Sequence, residues 1–310
     1  MQNSDKIIKI LQSFEKEIIP WKFKSGTQGA NIIGYGEISS VFSIDDLPDM
    51  ALKRMPLFNS ESEVEYYITK YEQYSELLKD AGLDLPDSAT HMIKIPKRPV
   101  VLYLQQKLFD SDKFVHKLIH QWSIDEIQIA FNRILSKIEG VWQYSNSKSP
   151  EITLALDAQL SNWVINGSAE HGQIYYIDTS TPLYRLNGIE QLDAELFLKS
   201  AMPGLRWIIR KFFLDEIINR YYNKRSVLID LAANLFKERK PDLIPKLLEK
   251  MNLLSDISSS PLSEKEIQSY YNEDKRIWQI VQFSRKFHRW YVTQIIRRRY
   301  EFILPDNINR

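Results

Sequence analysis

Asp157, Asn162 and Asp178 have side chains and spacing that suit a cation site. They lie in TLALDAQLSNWVINGSAEHGQIYYIDTSTP, residues 153–182. Within it, Trp163 to Ile165 and Ile174 to Ile177 are two apolar runs separated by turn residues, which predicts a hairpin. Asp178 closes the second run. An acid there has its backbone held by a sheet while its carboxylate faces the next open space, as oxygen ligands of a cation do. Asp is also common in turns, so the two acids taken alone fit plain turn positions equally well.

Composition limits the chemistry. The chain has 310 residues, 44% hydrophobic and 12% aromatic, enough for one large core or two lobes. Lys and Arg number 41 against 40 Asp and Glu, so the net charge of +1 gives no overall field favouring nucleic acid or an anionic membrane. Cysteine is absent, which excludes disulfides, thiolate catalysis and Cys-based zinc. The opening MQNSDKIIKILQSFEKEIIPW is charged throughout and lacks the apolar centre of a signal peptide. No apolar run is long enough to span a bilayer. The expectation is a soluble cytoplasmic protein with no membrane partner and no nucleic acid; its oligomeric state is not legible.

The elements that would position these residues follow from periodicity. Ile7, Leu11, Phe14 and Ile18 recur at helical spacing and predict a packing helix over residues 1–20. From Ala30, short β-branched runs between turn residues predict three antiparallel strands. The first connection holds Gly34, Gly36, Ser39 and Ser40, whose backbone freedom, N–H groups and hydroxyls suit phosphate oxygens. A glycine pair in a hairpin more often only turns the chain. Lys53 shares a strand face with Ala51 and Met55. A helix capped by Asn59 or Ser60 follows, with Glu61, Glu65 and Glu72 beside its apolar stripe, and Glu65 is the expected partner of Lys53. Two further strands, HMIKIP and RPVVLYLQQKLF, close a first unit over residues 1–103. Residues 104–109, including Gln105 and Gln106, are expected as a connection whose backbone could bond a base edge.

Residues 110–310 read as mainly helical. Ser123 to Glu126 is a capping box opening a long helix. Helices are expected around 190–200, 205–222, 227–239 and 242–254, with a last one opened by Ser263. The last carries Trp278, Phe283, Phe287, Trp290 and Tyr291 before Arg297, Arg298 and Arg299, expected as core packing with cations at a helix end. His116 and His120 have the spacing of a metal pair but lack a third ligand.

Taken in order, GYGEISSVF, the lysine of ALKRMP, an acid-bearing helix, LDAQLSNW and YYIDTSTP resemble the protein kinase-like superfamily, most closely its aminoglycoside phosphotransferase and choline kinase branch. The resemblance covers roughly residues 29–185. It implies an α+β two-lobe fold, a small antiparallel sheet with one helix joined to a helical lobe. It also implies ATP and Mg²⁺ as cofactors and transfer of a phosphoryl group to a hydroxyl of a small-molecule acceptor. Asp157 would then be the catalytic base, Asn162 and Asp178 the metal ligands, and Lys53 the contact to the nucleotide phosphates.

The chain departs from that pattern. Ala155 stands where the family often has His two residues before the catalytic Asp, and Thr179 to Pro182 replace the Phe-Gly of protein kinases. No long activation segment follows. Two alternatives stay open: a catalytically idle nucleotide-binding scaffold, and a helical interaction protein that binds no nucleotide.

Overall fold

The computed structural model describes residues 2–36, 39–193, 195–199, 206, 214–254 and 256–305. It is an α+β structure. Helix α1 (Gln2–Glu17) precedes strands β1 (Ala30–Tyr35), β2 (Ser40–Ile44) and β3 (Leu47–Phe58), then helix α2 (Glu61–Asp80) and strands β4 (Ser88–Ile93) and β5 (Val100–Lys107). These strands form one antiparallel sheet in the order β1-β2-β3-β5-β4.

Alternation assigns each strand residue to one of two covered faces. Phe42, Leu52, Val101 and Tyr103 pack under Leu11 and Phe14 of α1 and Ile18 just after it. Met55, Phe58, Leu102 and Leu104 pack under Val64, Tyr67 and Tyr71 of α2. The second half of α2 leaves that core: Tyr74, Leu77 and Leu78 belong to the main core of the helical part. One helix of 20 residues therefore joins the sheet-rich and helix-rich parts. Ser60 caps it, accepting from the Glu63 amide, as the sequence suggests.

The connection expected at 104–109 begins later. β5 is the second strand from one edge, and Leu104 to Lys107 pair with β3 on one side, while Leu104 to Gln106 also pair with β4 on the other. Backbone groups used by two neighbours have none left for a base edge, so the strand ends at Lys107 and the connection starts at Leu108.

In the helical part, α3 (Val115–Leu118) is a single turn and α4 (Ile124–Lys148) the long central helix, opened by the expected capping box of Ser123 and Glu126. His120 lies beyond the end of α3, so it shares no helix face with His116. Short strands β6 (Ile152–Leu154), β7 (Trp163–Asn166) and β8 (Gln173–Tyr176) follow, β7 and β8 forming the predicted hairpin. Further helices span Leu214–Tyr222, Lys224–Lys237, Ile244–Met251 and Glu264–Trp290. Residues 205 and 207–213 of the helix expected at 205–222, and Glu37 and Ile38 of the glycine connection, lie outside the described residues.

The last helix departs from expectation. Phe283, Phe287, Trp290 and Tyr291 are exposed rather than core residues. The chain after Arg298 instead turns back to the sheet, where Ile303 and Leu304 are buried and Glu301 meets Arg54, Arg98 and Arg299.

Candidate functional site

The sheet delivers Lys53 on the α2 face of β3, with Val41 and Leu104 as its strand neighbours. The β7–β8 hairpin delivers Asp178, just past the end of β8. The two meet at 2.9 Å across 125 residues of sequence, and each side chain keeps 21% of its surface exposed. Lys53 also donates to the Ser180 hydroxyl, which donates to Asp178 Oδ1 at 3.1 Å. Burial alone would raise the Asp178 carboxyl; the Lys53 ammonium and the Ser180 hydroxyl outweigh it and hold the carboxyl below the ordinary range.

Asp157 and Asn162 are tied to one another. Asn162 Nδ2 donates to the Asp157 carbonyl at 3.0 Å, and the Gln159 amide donates to Asp157 Oδ1 at 3.1 Å. The Ile177 amide donates to the Asn162 carbonyl at 3.0 Å, joining this loop to the residue before Asp178. Because the Asn162 amide nitrogen is used, its oxygen is the atom suited to a cation. A carboxylate and an amide oxygen fit a hard cation that keeps water or phosphate oxygens as its other ligands. Among the described residues no group of three or more His, Cys, Asp or Glu could hold a metal alone.

Ala155 leaves no imidazole in this loop, which is held instead by one tyrosine, one tryptophan and a backbone bond. The Tyr74 hydroxyl, from α2, donates to the Ala155 carbonyl at 2.9 Å. The Ala155 amide donates to Leu183 O at 3.0 Å. The Trp163 indole donates to Ala158 O at 3.2 Å. Burial, with Asp178 and Asp157 adding negative potential, pushes the Tyr74 hydroxyl well above its usual range, so it stays a proton donor.

Several expected contacts are redistributed. Glu65 sits on the exposed side of α2, and the cation partners of its helix neighbours are Lys94 for Glu61 and Lys199 for Glu63. Lys53 is turned to Asp178 instead. From α2, the buried Tyr67 hydroxyl donates to the Ser180 carbonyl. Ser40 and Gln105 face away: Ser40 pairs with Arg54 in register and donates to Ile303 O at 3.5 Å, and Gln105 bonds His91 at 2.7 Å. The Gln106 side chain turns toward the Asp178 segment, donating to Ile177 O and Thr179 Oγ1 at 3.1 and 3.2 Å.

Gly36 closes the β1–β2 connection with its amide on Ser39 O at 3.1 Å, and a Cβ there would stand 2.5 Å from the Ser39 hydroxyl. Gly34 needs no such explanation, since its added Cβ would meet Val41 at ordinary contact distance.

Tyr67, Ser180 and Tyr74 carry no signal in the sequence that sets their hydroxyls apart from those of other packed tyrosines and turn serines. Gln159, two residues after Asp157, lines a cleft with Asp230, Asn234, Tyr270, Tyr271 and Asp274. Asn234 is buried, and its Oδ1 accepts no hydrogen bond. Asp193, Glu195 and Glu216 are surface residues.

The profile of DUF6206, a family of unknown function, matches residues 25–289 and so takes in Lys53, Asp157, Asn162 and Asp178. No curated protein matches the chain. On the extent of that match, the chain belongs to the DUF6206 family.

Proposed function

We propose that this chain is an ATP- and Mg²⁺-dependent phosphotransferase of protein kinase-like fold, passing the γ-phosphoryl group to a hydroxyl of a small molecule. The contact of Lys53 with Asp178 carries the proposal, since it joins a sheet lysine to a hairpin acid beside Asp157 and Asn162. The sheet order β1-β2-β3-β5-β4, with α2 across one face and a helical part beyond, supports the same reading.

Phosphoryl transfer needs positioning and charge neutralisation more than covalent catalysis. When bound, Mg²⁺ would neutralise charge developing on the phosphate oxygens, held by Asp178 and the Asn162 oxygen. Lys53 would exchange its carboxylate partner for a phosphate oxygen. Asp157, fixed by its own loop, would orient the acceptor hydroxyl and take its proton. The cleft lined by Gln159, two residues after Asp157, would be the place for an acceptor, and the unsatisfied Asn234 oxygen in it suits one that donates a hydrogen bond.

The test is thermal stability with ATP and Mg²⁺, followed by turnover across hydroxylated metabolites. A ligand at a hundredfold over its dissociation constant adds about 2.7 kcal/mol, a visible melting shift. Asp178→Ala is expected to abolish the metal-dependent shift, and Asp157→Ala to keep the shift and lose turnover. An equal shift in Asp178→Ala and the parent would remove the metal role. The closed Lys53–Asp178 pair also favours a second reading, a nucleotide-binding protein without turnover. Binding with no transfer to any acceptor would select it.

A further inference from the structure

The last helix presents a face that the proposed transfer does not use. Ile280, Phe283, Phe287, Trp290 and Tyr291 recur at steps of three and four residues and are all exposed, Phe283 by 74% and Trp290 by 49%. Ile295 and Ile296 extend this apolar surface past the helix end and are exposed as well. A contiguous exposed stripe of this kind marks an interaction surface rather than ordinary surface scatter.

The charge along this stretch of chain has one sign. Between Asp274 and Glu301 the chain has eight Lys and Arg and no Asp or Glu. Arg276, Arg297 and Arg298 are exposed, and Lys275, Lys286 and Arg289 are half-buried. The net charge of +1 for the whole chain conceals this local excess. Aromatic and aliphatic residues on one face, with cations along the flank and at the end, match an anionic lipid surface: rings and isoleucines enter the headgroup boundary while arginines meet phosphates. Isoleucine has no ring to stack on a base, which favours lipid over RNA for this face. A second copy is disfavoured because two such helices would bring like charges together.

We propose that the exposed face of the helix Glu264–Trp290, with the turn to Arg298, docks on the surface of a bilayer containing anionic lipid. The helix lies in the interface plane and does not cross it, in keeping with the absence of a membrane-spanning helix among the described residues.

The test is sedimentation of the full chain with phosphatidylcholine vesicles, with and without about 30% phosphatidylserine. Binding is expected only with the anionic lipid, weakening as salt rises. Phe283→Ser with Trp290→Ser, and Arg297→Glu with Arg298→Glu, should each lower affinity by about tenfold or more while leaving the melting temperature of these exposed positions unchanged. No binding to anionic vesicles at low salt would overturn the proposal, as would equal binding by both variants and the parent. Binding to single-stranded polyuridine, lost in the same variants without vesicle binding, would overturn it in favour of RNA. Self-association abolished by Phe283→Ser without vesicle binding would overturn it in favour of a second copy.

Discussion

Asp157 lacks a histidine before it, yet its loop is held from three sides, by Tyr74 on Ala155, by Trp163 on Ala158 and by Asn162 on Asp157 itself. Tyr74→Phe leaves a buried carbonyl without its donor and should cost about 1–3 kcal/mol of stability. If the tyrosine orients the base, turnover falls while nucleotide affinity holds, a split that kcat and equilibrium binding measured together would resolve. Lys53→Met probes the partner site. Without the ammonium, burial dominates Asp178 and raises its carboxyl instead of leaving it depressed. Mg²⁺ affinity should then fall as pH is lowered through mildly acidic values where the parent is unaffected; parallel pH profiles for the two proteins would refute it. That Asn162 and Asp178 flank a hairpin was legible, because they stand at the start and the end of its apolar runs. Ser40 and Gln105 were not, because a one-residue change of parity moves a side chain to the opposite face of the sheet.

Helix α1, expected only to pack, also carries a buried acid. Glu15 is fully covered and bonds Arg54, Arg98 and the Tyr103 hydroxyl. Burial opposes its charge, but Arg54 above all outweighs burial and holds the carboxyl at about 2. A carboxyl depressed in the fold contributes stability that is present above its unfolded value and lost as pH falls through the folded one. The contribution of Glu15 is therefore complete at neutral pH and disappears between roughly pH 4.5 and 2. Glu15→Gln leaves Arg54 buried with a weaker partner and should cost about 3–5 kcal/mol, and its stability should decline less steeply in acid, as urea titrations at pH 3 and 7 would reveal. Periodicity placed α1, α2, α4 and the five-stranded sheet because each has a clear apolar stripe or alternation. It could not announce Glu15, since a charged residue one step from the apolar stripe is normally solvated.

At the scale of the molecule, a late segment packs on the first elements of the chain. Residues 299–305 return to the sheet beside α1, so that Ile303 joins the core of Leu11, Ile18 and Leu52, and Glu301 supplies the second acid for Arg54 and Arg98. No local pattern in ILP or RRRYEF discloses this, because a contact between segments so far apart depends on the path of every element between them. Ending the chain at Arg298 would leave Glu15 alone facing two arginines, at about 3–5 kcal/mol for a broken buried network. It would also uncover the sites of Ile303 and Leu304, at about 1.5–3 kcal/mol each. Domains hold only about 5–15 kcal/mol in total, so the truncated chain should unfold at a much lower urea concentration than the parent. Glu301→Gln, which keeps the apolar residues, should fall between them. Because α2 belongs to both cores, loss of the sheet should carry the helical part with it, and fluorescence and circular dichroism should report one shared transition. A truncated chain as stable as the parent would show that the returning tail merely lies against the sheet, and two separated transitions would show that α2 does not couple its two halves.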